Sequence, residues 1–348
     1  MKKNIIKDRD NLKSRESKLK QEIQELELYE IELAIEKRVI ADIRKRQRGI
    51  SGLKQDSLKY TAVWGAGDLT PGCKDCCLKG RWTQIRTTTK CNLNCSFCYY
   101  FGKKDFPFRE MIPSGLFRIG SEQRLFSEDD VKLLLKTQSK KLIKIRGVAW
   151  LFYEPLLEID KMLSIMKFIN KMGYHQWLYT NGVYATERNL EKLKKAGLDE
   201  IRFNLAATNC SDLVIKHMKI ARKYFKYLCV ESPMFTEFYN SFIKKKEAIL
   251  GTGVDHIHFA ELQLFPNAMN KFKKEGPIYR YKSGYVSPIK SRQLTYDIFE
   301  IAVKEKWKKV VLHDCSNETK FFRGIINATR FGHVDYGGST PLYKKVVL

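Results

Sequence analysis

Strand and helix signals alternate through most of this 348-residue chain, and this alternation limits the fold more than any other feature. Short apolar runs bounded by turns predict strands, and amphipathic stretches closed by Gly173 or Gly197 predict helices between them. The predicted strands are 81–88, 143–152, 175–180, 199–205, 225–231 and 254–260. Repeated βα units give a parallel sheet with helices outside it. Because the count falls short of an eight-fold barrel, the sequence predicts an α/β fold with a partial (β/α)6 parallel barrel.

The composition divides the chain into four parts. Residues 1–50 are charged and nearly free of Gly and Pro, so they predict one long N-terminal helix. Residues 51–80 form a linker with a Cys-rich element, residues 81–262 the barrel core, and residues 263–348 a C-terminal extension. Apolar residues recur every seven positions in the helix, but the companion row is mostly polar. The helix is therefore expected to lie on its own domain or on one partner.

Charge and cysteine content indicate which partners and which cellular compartment the protein has. The net charge of +25 allows a nucleic-acid or acidic-peptide partner, but lysine is spread along the chain and no known nucleic-acid module is present. Six of the nine cysteines lie between residues 73 and 98, a metal-binding pattern that indicates a reducing compartment. The first residues contain no apolar signal core, and no run is long enough to span a membrane. The sequence thus predicts a cytoplasmic protein without membrane contact.

The most specific motif is Cys-x3-Cys-x2-Cys, formed by Cys91, Cys95 and Cys98, with Phe97 directly before the third thiol. Three thiolates in one short loop can bind one inorganic cluster and leave one iron without a protein ligand. Such a vacancy is the cluster equivalent of a catalytic metal that keeps an open position. Zinc sites usually pair two CxxC knuckles, and only one candidate knuckle lies upstream.

This loop resembles the cluster loop of the radical S-adenosylmethionine (SAM) enzymes. The resemblance implies a [4Fe–4S] cluster on Cys91, Cys95 and Cys98, with SAM bound at the remaining iron. It also implies reductive cleavage of SAM to a 5′-deoxyadenosyl radical that abstracts hydrogen from a substrate. Phe97 would then pack against the cluster or the adenine, and a flavodoxin- or ferredoxin-type protein would supply the electron.

Two segments that follow predicted strands resemble the SAM site of the same family. Glu154, in Phe152-Tyr153-Glu154-Pro155, matches the family's Gly-Gly-Glu-Pro segment, whose acid holds the amino group of SAM. Bulky residues replace both glycines, which leaves the local backbone geometry open; Glu154 could equally be an acid at a helix start. Asn181, in a Thr-Asn-Gly turn, resembles a turn that lines SAM in activase-like members.

Alternation along two further strands selects four more candidates. Arg202 and Asn204 are expected to face the barrel interior, where they could contact SAM or fill the interior as a polar network. Cys229 and Glu231 share one face of the next strand. If that face is interior, Cys229 could donate a hydrogen atom and Glu231 could orient substrate; a lone cysteine is also a common small core residue.

The cysteines outside the cluster loop form a second candidate metal site. Cys73 and Cys76 lie in a Gly-Cys-x-x-Cys element, and Cys315 lies in a late Cys-Ser. Both elements resemble a little-characterised group related to pyruvate formate-lyase activating enzymes, and this resemblance covers roughly residues 71–330. Cys73, Cys76 and Cys315 could hold a second iron–sulfur cluster or a zinc ion, or could be separate thiols near a chain crossing.

Three functions remain open from the sequence. The leading one is a radical SAM enzyme, with a peptide or protein substrate suggested by the activase resemblance. The net charge of +25 motivates a second, a radical SAM enzyme that modifies RNA. The third is a non-catalytic iron–sulfur or zinc scaffold or sensor, favoured by the altered Phe152-Tyr153 segment, with the long helix as its partner arm.

Overall fold

A computed structural model describes residues 2–56, 61–98, 112–120, 124–139, 144–266, 268–282 and 284–322 of the chain. The helices are α1 (Lys2–Arg48), α2 (Glu128–Ser139), α3 (Ile159–Lys171), α4 (Glu187–Ala196), α5 (Asp212–Ala221), α6 (Thr236–Leu250) and α7 (Ile289–Lys304). The strands are β1 (Leu53–Asp56), β2 (Thr61–Trp64), β3 (Trp82–Arg86), β4 (Leu116–Ile119), β5 (Phe126–Ser127), β6 (Gly147–Trp150), β7 (His175–Thr180), β8 (Glu200–Phe203), β9 (Tyr227–Met234), β10 (His256–Glu261), β11 (Ile278–Arg280), β12 (Val286–Pro288) and β13 (Val311–Cys315).

The main sheet has a parallel centre whose strand order follows the chain. Strands β3, β6, β7, β8, β9, β10 and β13 are neighbours in that order, and each adjacent pair is parallel. Because parallel crossovers are right-handed, winding in one direction places the connecting helices on one face. We call the opposite face the inner face. Antiparallel β1–β2 and β4–β5 complete the two edges, so the sheet stays open. The predicted α/β partial barrel is confirmed.

The hydrophobic core lies between the sheet and the helices. Helix α3 shows the pattern clearly, because Met162, Ile165, Met166 and Ile169 lie on one side of it and are fully buried. Burial of each such side chain contributes about 1.5–3 kcal/mol. They belong to the same buried cluster as outward-facing strand residues, among them Val148, Leu178, Ile201, Leu228 and Ile257.

The C-terminal part of α1 packs on the rest of the molecule. Val39 and Ile43 are buried, and Gln47 donates a hydrogen bond to the buried Tyr296 hydroxyl of α7. Arg46 adds an ion pair from its Nε to Glu300 Oε1 at 2.7 Å. This part of α1 therefore lies on its own domain, one of the two arrangements that the sequence left open.

The C-terminal extension returns to the sheet. Strand β13 pairs in parallel with β10, where His258 lies opposite His313 and Ala260 opposite Cys315. The inner face thus gains one more strand than the six predicted for the core. In the part of the chain that the structure describes, no helix is long and apolar enough to cross a membrane.

Candidate functional site

The cluster loop follows β3, at the carboxyl edge of the parallel sheet. Cys98 N donates to Cys95 O at 2.9 Å and closes a turn between two of the predicted ligands. Asn181, directly after β7, donates from Nδ2 to Asn92 Oδ1 at 2.8 Å and lies 3.9 Å from Cys91 Sγ. Ligand sites of parallel α/β folds lie at this edge. The Asn181 side chain therefore links the thiol loop after β3 to the end of β7, two strands away in the sheet.

The three loop thiols lie close enough to influence one another. Burial, together with the proximity of Cys98 and Cys91, raises the pKa of Cys95 to about 12. The three sulfur atoms do not all lie within 4.8 Å of one another. This spacing suits ligands that each bind a different iron of one cluster. Soft thiolates are the donors that iron–sulfur clusters require, so this donor set fits the cluster.

Glu154 ties the segment after β6 to the end of β7. Its Oε1 accepts hydrogen bonds from Leu156 N at 3.1 Å and Thr180 Oγ1 at 2.8 Å, and its Oε2 accepts from Asn181 N at 2.8 Å. Burial raises the pKa of Glu154 to about 7, although these three donors act to lower it. Both carboxylate oxygens thus have protein partners, and the geometry gives Glu154 a role in positioning Asn181.

Phe152 and Tyr153 adopt backbone conformations that normally favour glycine. Their φ angles are 73° and 55°, in the left-handed region that costs an ordinary residue about 1–2 kcal/mol. The Arg86 guanidinium lies 5.2 Å from the centre of the Phe152 ring. The two residues that replace the glycine pair therefore keep a glycine-like backbone shape, which answers the question of geometry that the sequence left open.

Phe97 and Asn204 have partners near the carboxyl edge. The Phe97 ring is half-buried and lies 5.7 Å, centre to centre, from the Phe235 ring. Asn204 Oδ1 accepts from Ala207 N at 3.2 Å and caps the turn after β8. Both residues lie near strand ends, and the contacts given for them are structural; their predicted contacts with the cluster or SAM stay predictions.

Arg202 lies at the centre of a polar network on the inner face. It donates from Nε to Glu200 Oε1 at 2.6 Å and from Nη1 to Tyr179 OH at 3.0 Å and Glu231 Oε2 at 2.8 Å. Burial acts to raise the pKa of Glu200, but Arg202 and His175 lower it to about 2. Of the two uses predicted for Arg202, the structure provides the interior network, and it places Glu231 in that network.

The predicted set of Cys73, Cys76 and Cys315 is not brought together. Among the described residues, the Cys, His and carboxylate groups whose donor atoms lie within 4.8 Å of one another include Cys73 and Cys229, but neither Cys76 nor Cys315. Cys76 packs instead with Ala149 and Trp177. Cys73 lies against His258 of β10, whereas the neighbours of Cys76 belong to β6 and β7, so the two thiols face different strands. Cys229 lies buried on the inner face.

Sequence reasoning missed the histidines that accompany Cys73 and Cys229. His256 and His258 are two residues apart on β10, and His313 lies opposite His258 on β13. All three are buried. The alternation His-Ile-His-Phe contains the signal, since it places both imidazoles on the face opposite Ile257 and Phe259.

A singly wound parallel sheet with three thiols at its carboxyl edge is an arrangement that suits an iron–sulfur α/β protein. Residues 85–228 match the family model described as the radical SAM superfamily. Residues 85–228 are therefore similar to a radical SAM domain, the class of domain that holds a [4Fe–4S] cluster and SAM. The match begins within β3 and ends within β9, so it contains the whole cluster loop.

Two curated relatives and one solved structure illustrate the similarity. A Methanocaldococcus jannaschii protein with the provisional name of a glycyl-radical enzyme activating enzyme is 27% identical over 60% of this chain and 54% of its own length. GTP 3′,8-cyclase of Aquifex aeolicus is 32% identical over 36% of this chain and 35% of its own. The structure of Streptococcus suis SuiB bound to S-adenosylmethionine is 14% identical, covers 65% of this chain and 48% of that protein, and has a TM-score of 0.45. The chain spans about half or less of these relatives.

Proposed function

We propose that this protein is a radical SAM enzyme that binds its cluster through Cys91, Cys95 and Cys98. The observation that carries the proposal is the junction of the thiol loop with the strand ends. There Asn181 donates from its side chain to Asn92 and from its backbone N–H to the Glu154 carboxylate. When bound and reduced, the cluster and SAM together supply a radical that can abstract hydrogen from an unreactive C–H bond.

The chain's own residues prepare the site. Cys91, Cys95 and Cys98 would hold the cluster. Glu154 and the left-handed turn before it fix the backbone beside the loop, so the polar atoms around Asn181 are in place before a ligand arrives. Phe97 anchors the loop in the core through Phe235, which keeps that side of the site apolar.

The substrate that we propose is a peptide or protein. The support is the relative that carries the provisional name of a glycyl-radical enzyme activating enzyme, which aligns with 60% of this chain. A reducing partner of the flavodoxin or ferredoxin type would deliver the electron. The exposed Cys91 is the loop thiol nearest to solvent and marks the side from which such a partner would approach.

The test is release of 5′-deoxyadenosine from SAM by the full chain, reconstituted anaerobically and reduced with dithionite. Wild-type protein is expected to release it, and Cys95→Ala is expected to lose release by at least tenfold because one cluster ligand is removed. Cys210→Ala is the matched control, since Cys210 is a buried core thiol outside the Cys-x3-Cys-x2-Cys motif. Equal release by Cys95→Ala and wild type, or none by wild type with a full cluster in the presence of candidate peptides, would contradict the proposal.

A further inference from the structure

A second group of metal-ligating side chains lies on the inner face, apart from the cluster loop. The Cys73 sulfur lies 3.7 Å from His258 Nδ1, and His258 Nδ1 lies 3.0 Å from His313 Nδ1. These three donor atoms form a group within 4.8 Å, and Cys229 and His256 form a second group with the same His258. All five side chains are buried. Two thiols and two further imidazoles thus surround the imidazole ring of His258.

The position of this group separates it from the proposed cluster. Thr70 Oγ1 and Gly72 N donate to Glu200, the first residue of β8, at 3.0 and 3.3 Å. The segment that carries Cys73 is therefore held at the amino ends of the strands, whereas the cluster loop follows the carboxyl end of β3. A Cβ on Gly72 would lie 2.7 Å from Arg202 Nη2 and 2.8 Å from Glu200 Oε2, so this close approach needs glycine.

The distances in the first group are those of atoms that share one ion. Zinc binds sulfur at about 2.3 Å and imidazole nitrogen at about 2.0–2.1 Å. A tetrahedral arrangement then places two nitrogens about 3.4 Å apart, and sulfur and nitrogen about 3.6 Å apart. The observed separations, 3.0 Å between His258 and His313 and 3.7 Å between Cys73 and His258, lie close to both values.

The chemistry of the donors also favours a metal. Imidazole nitrogen and thiolate sulfur are both common ligands of transition metals. One thiolate on a divalent ion leaves a charge of +1. Arg202 with Glu200 and Glu231 leaves −1 beside it, which compensates that charge.

We propose that Cys73 Sγ, His258 Nδ1 and His313 Nδ1 bind one divalent transition-metal ion, zinc or iron(II). Cys229 and His256 form the second group with His258, and the His256 ring lies 3.6 Å, centre to centre, from the His258 ring. Sulfur with imidazole is a donor set for zinc or iron, and not for magnesium or calcium. Three protein ligands leave a fourth position for another ligand.

The experiment uses the full chain with Cys91, Cys95 and Cys98 all changed to Ala, so that cluster iron does not contribute. Elemental analysis is expected to find about one zinc or iron per chain in this background. Adding His258→Ala or Cys73→Ala is expected to lower that content at least tenfold. Cys210→Ala is the control for a buried thiol elsewhere, and it is expected to keep the metal.

Cobalt substitution gives a second readout in the same background. The proposal predicts a thiolate-to-cobalt charge-transfer band and intense tetrahedral visible bands, with the charge-transfer band lost in Cys73→Ala. If His258→Ala does not fold, as judged by circular dichroism, Cys73→Ala and His313→Asn decide. Absence of bound metal in the parent, metal content unchanged by these substitutions, or a cobalt spectrum without a thiolate band would overturn the proposal. None of these outcomes depends on SAM cleavage.

Discussion

At the scale of single residues, Glu154 is a buried carboxyl group that links the segment after β6 to the end of β7. Three donors from two strand ends point at its carboxylate, yet burial is strong enough to raise its pKa to about 7. Desolvation therefore outweighs hydrogen bonding at this position. The ionisation of Glu154 should couple the stability of the site to pH.

The pH dependence of unfolding tests this coupling. The folded protein holds the Glu154 proton up to about pH 7, whereas the ordinary value is 4.5. The native state binds more protons between these values, so the stability contributed by this group is full below pH 4.5 and is lost as the pH rises through 7. Between pH 5 and 8, wild type should lose about 2–3 kcal/mol more unfolding free energy than Glu154→Gln. Urea titrations at both pH values measure this, and parallel losses would exclude the coupling.

Asn181 gives a second prediction at the residue scale. Asn181→Ala removes the 2.8 Å hydrogen bond to Asn92 and the contact with Cys91, so the thiol loop loses about 1 kcal/mol of restraint. We expect cluster iron to be lost on exposure to air about fivefold faster, followed by absorbance and iron content. Asn189→Ala, which removes an exposed hydrogen bond to Tyr184 O, is the control. Identical rates in both variants would show that Asn181 does not hold the loop.

At the scale of elements, the turn between β6 and α3 is the informative piece. Phe152 and Tyr153 hold left-handed φ angles without being glycine. Strained backbone of this kind persists only where surrounding contacts fix it, and it is concentrated at functional sites. The Glu154 hydrogen bonds and the Arg86 contact with the Phe152 ring are such contacts.

Two substitutions at Phe152 test the strain. Both Phe152→Gly and Phe152→Val remove the ring, but only glycine accepts φ of 73° without steric cost. Valine, branched at Cβ, should lower the free energy of unfolding by about 1–2 kcal/mol more than glycine does. Thermal unfolding of the pair measures the difference. Equal melting temperatures would mean that the turn relaxes and is not held in this shape.

The sequence predicted elements better than it predicted partners. The predicted strand 175–180 has the same bounds as β7, and the predicted strand 254–260 differs from β10 by one or two residues at its ends. Both agree because apolar alternation and bounding turns are local signals. Likewise, the loop of Cys91, Cys95 and Cys98 could be predicted from the sequence because its thiols are close in sequence. The sequence did not predict that Cys73 lies beside His258 and His313, since this proximity depends on the register of β10 with β13.

At the scale of the whole molecule, one sheet carries two groups of candidate metal ligands, one at the carboxyl ends of its strands and one toward their amino ends. Its strands are wound in one direction, so the helices occupy one face and leave the inner face to polar side chains. The thiol loop lies at the carboxyl edge, and the group around His258 lies toward the amino ends. Cys229, which the sequence suggested as a hydrogen donor, lies in the second region; this location favours a structural role for its thiol.

The central claim is that three thiols beside Asn181 hold a cluster with one iron open to SAM. Electron paramagnetic resonance of the dithionite-reduced full chain, recorded with and without SAM, tests it most directly. We predict a reduced [4Fe–4S] signal in wild type that changes when SAM is added, and no such signal in Cys95→Ala. A cluster signal that is identical with and without saturating SAM would contradict the claim, because the iron without a protein ligand would then not bind SAM.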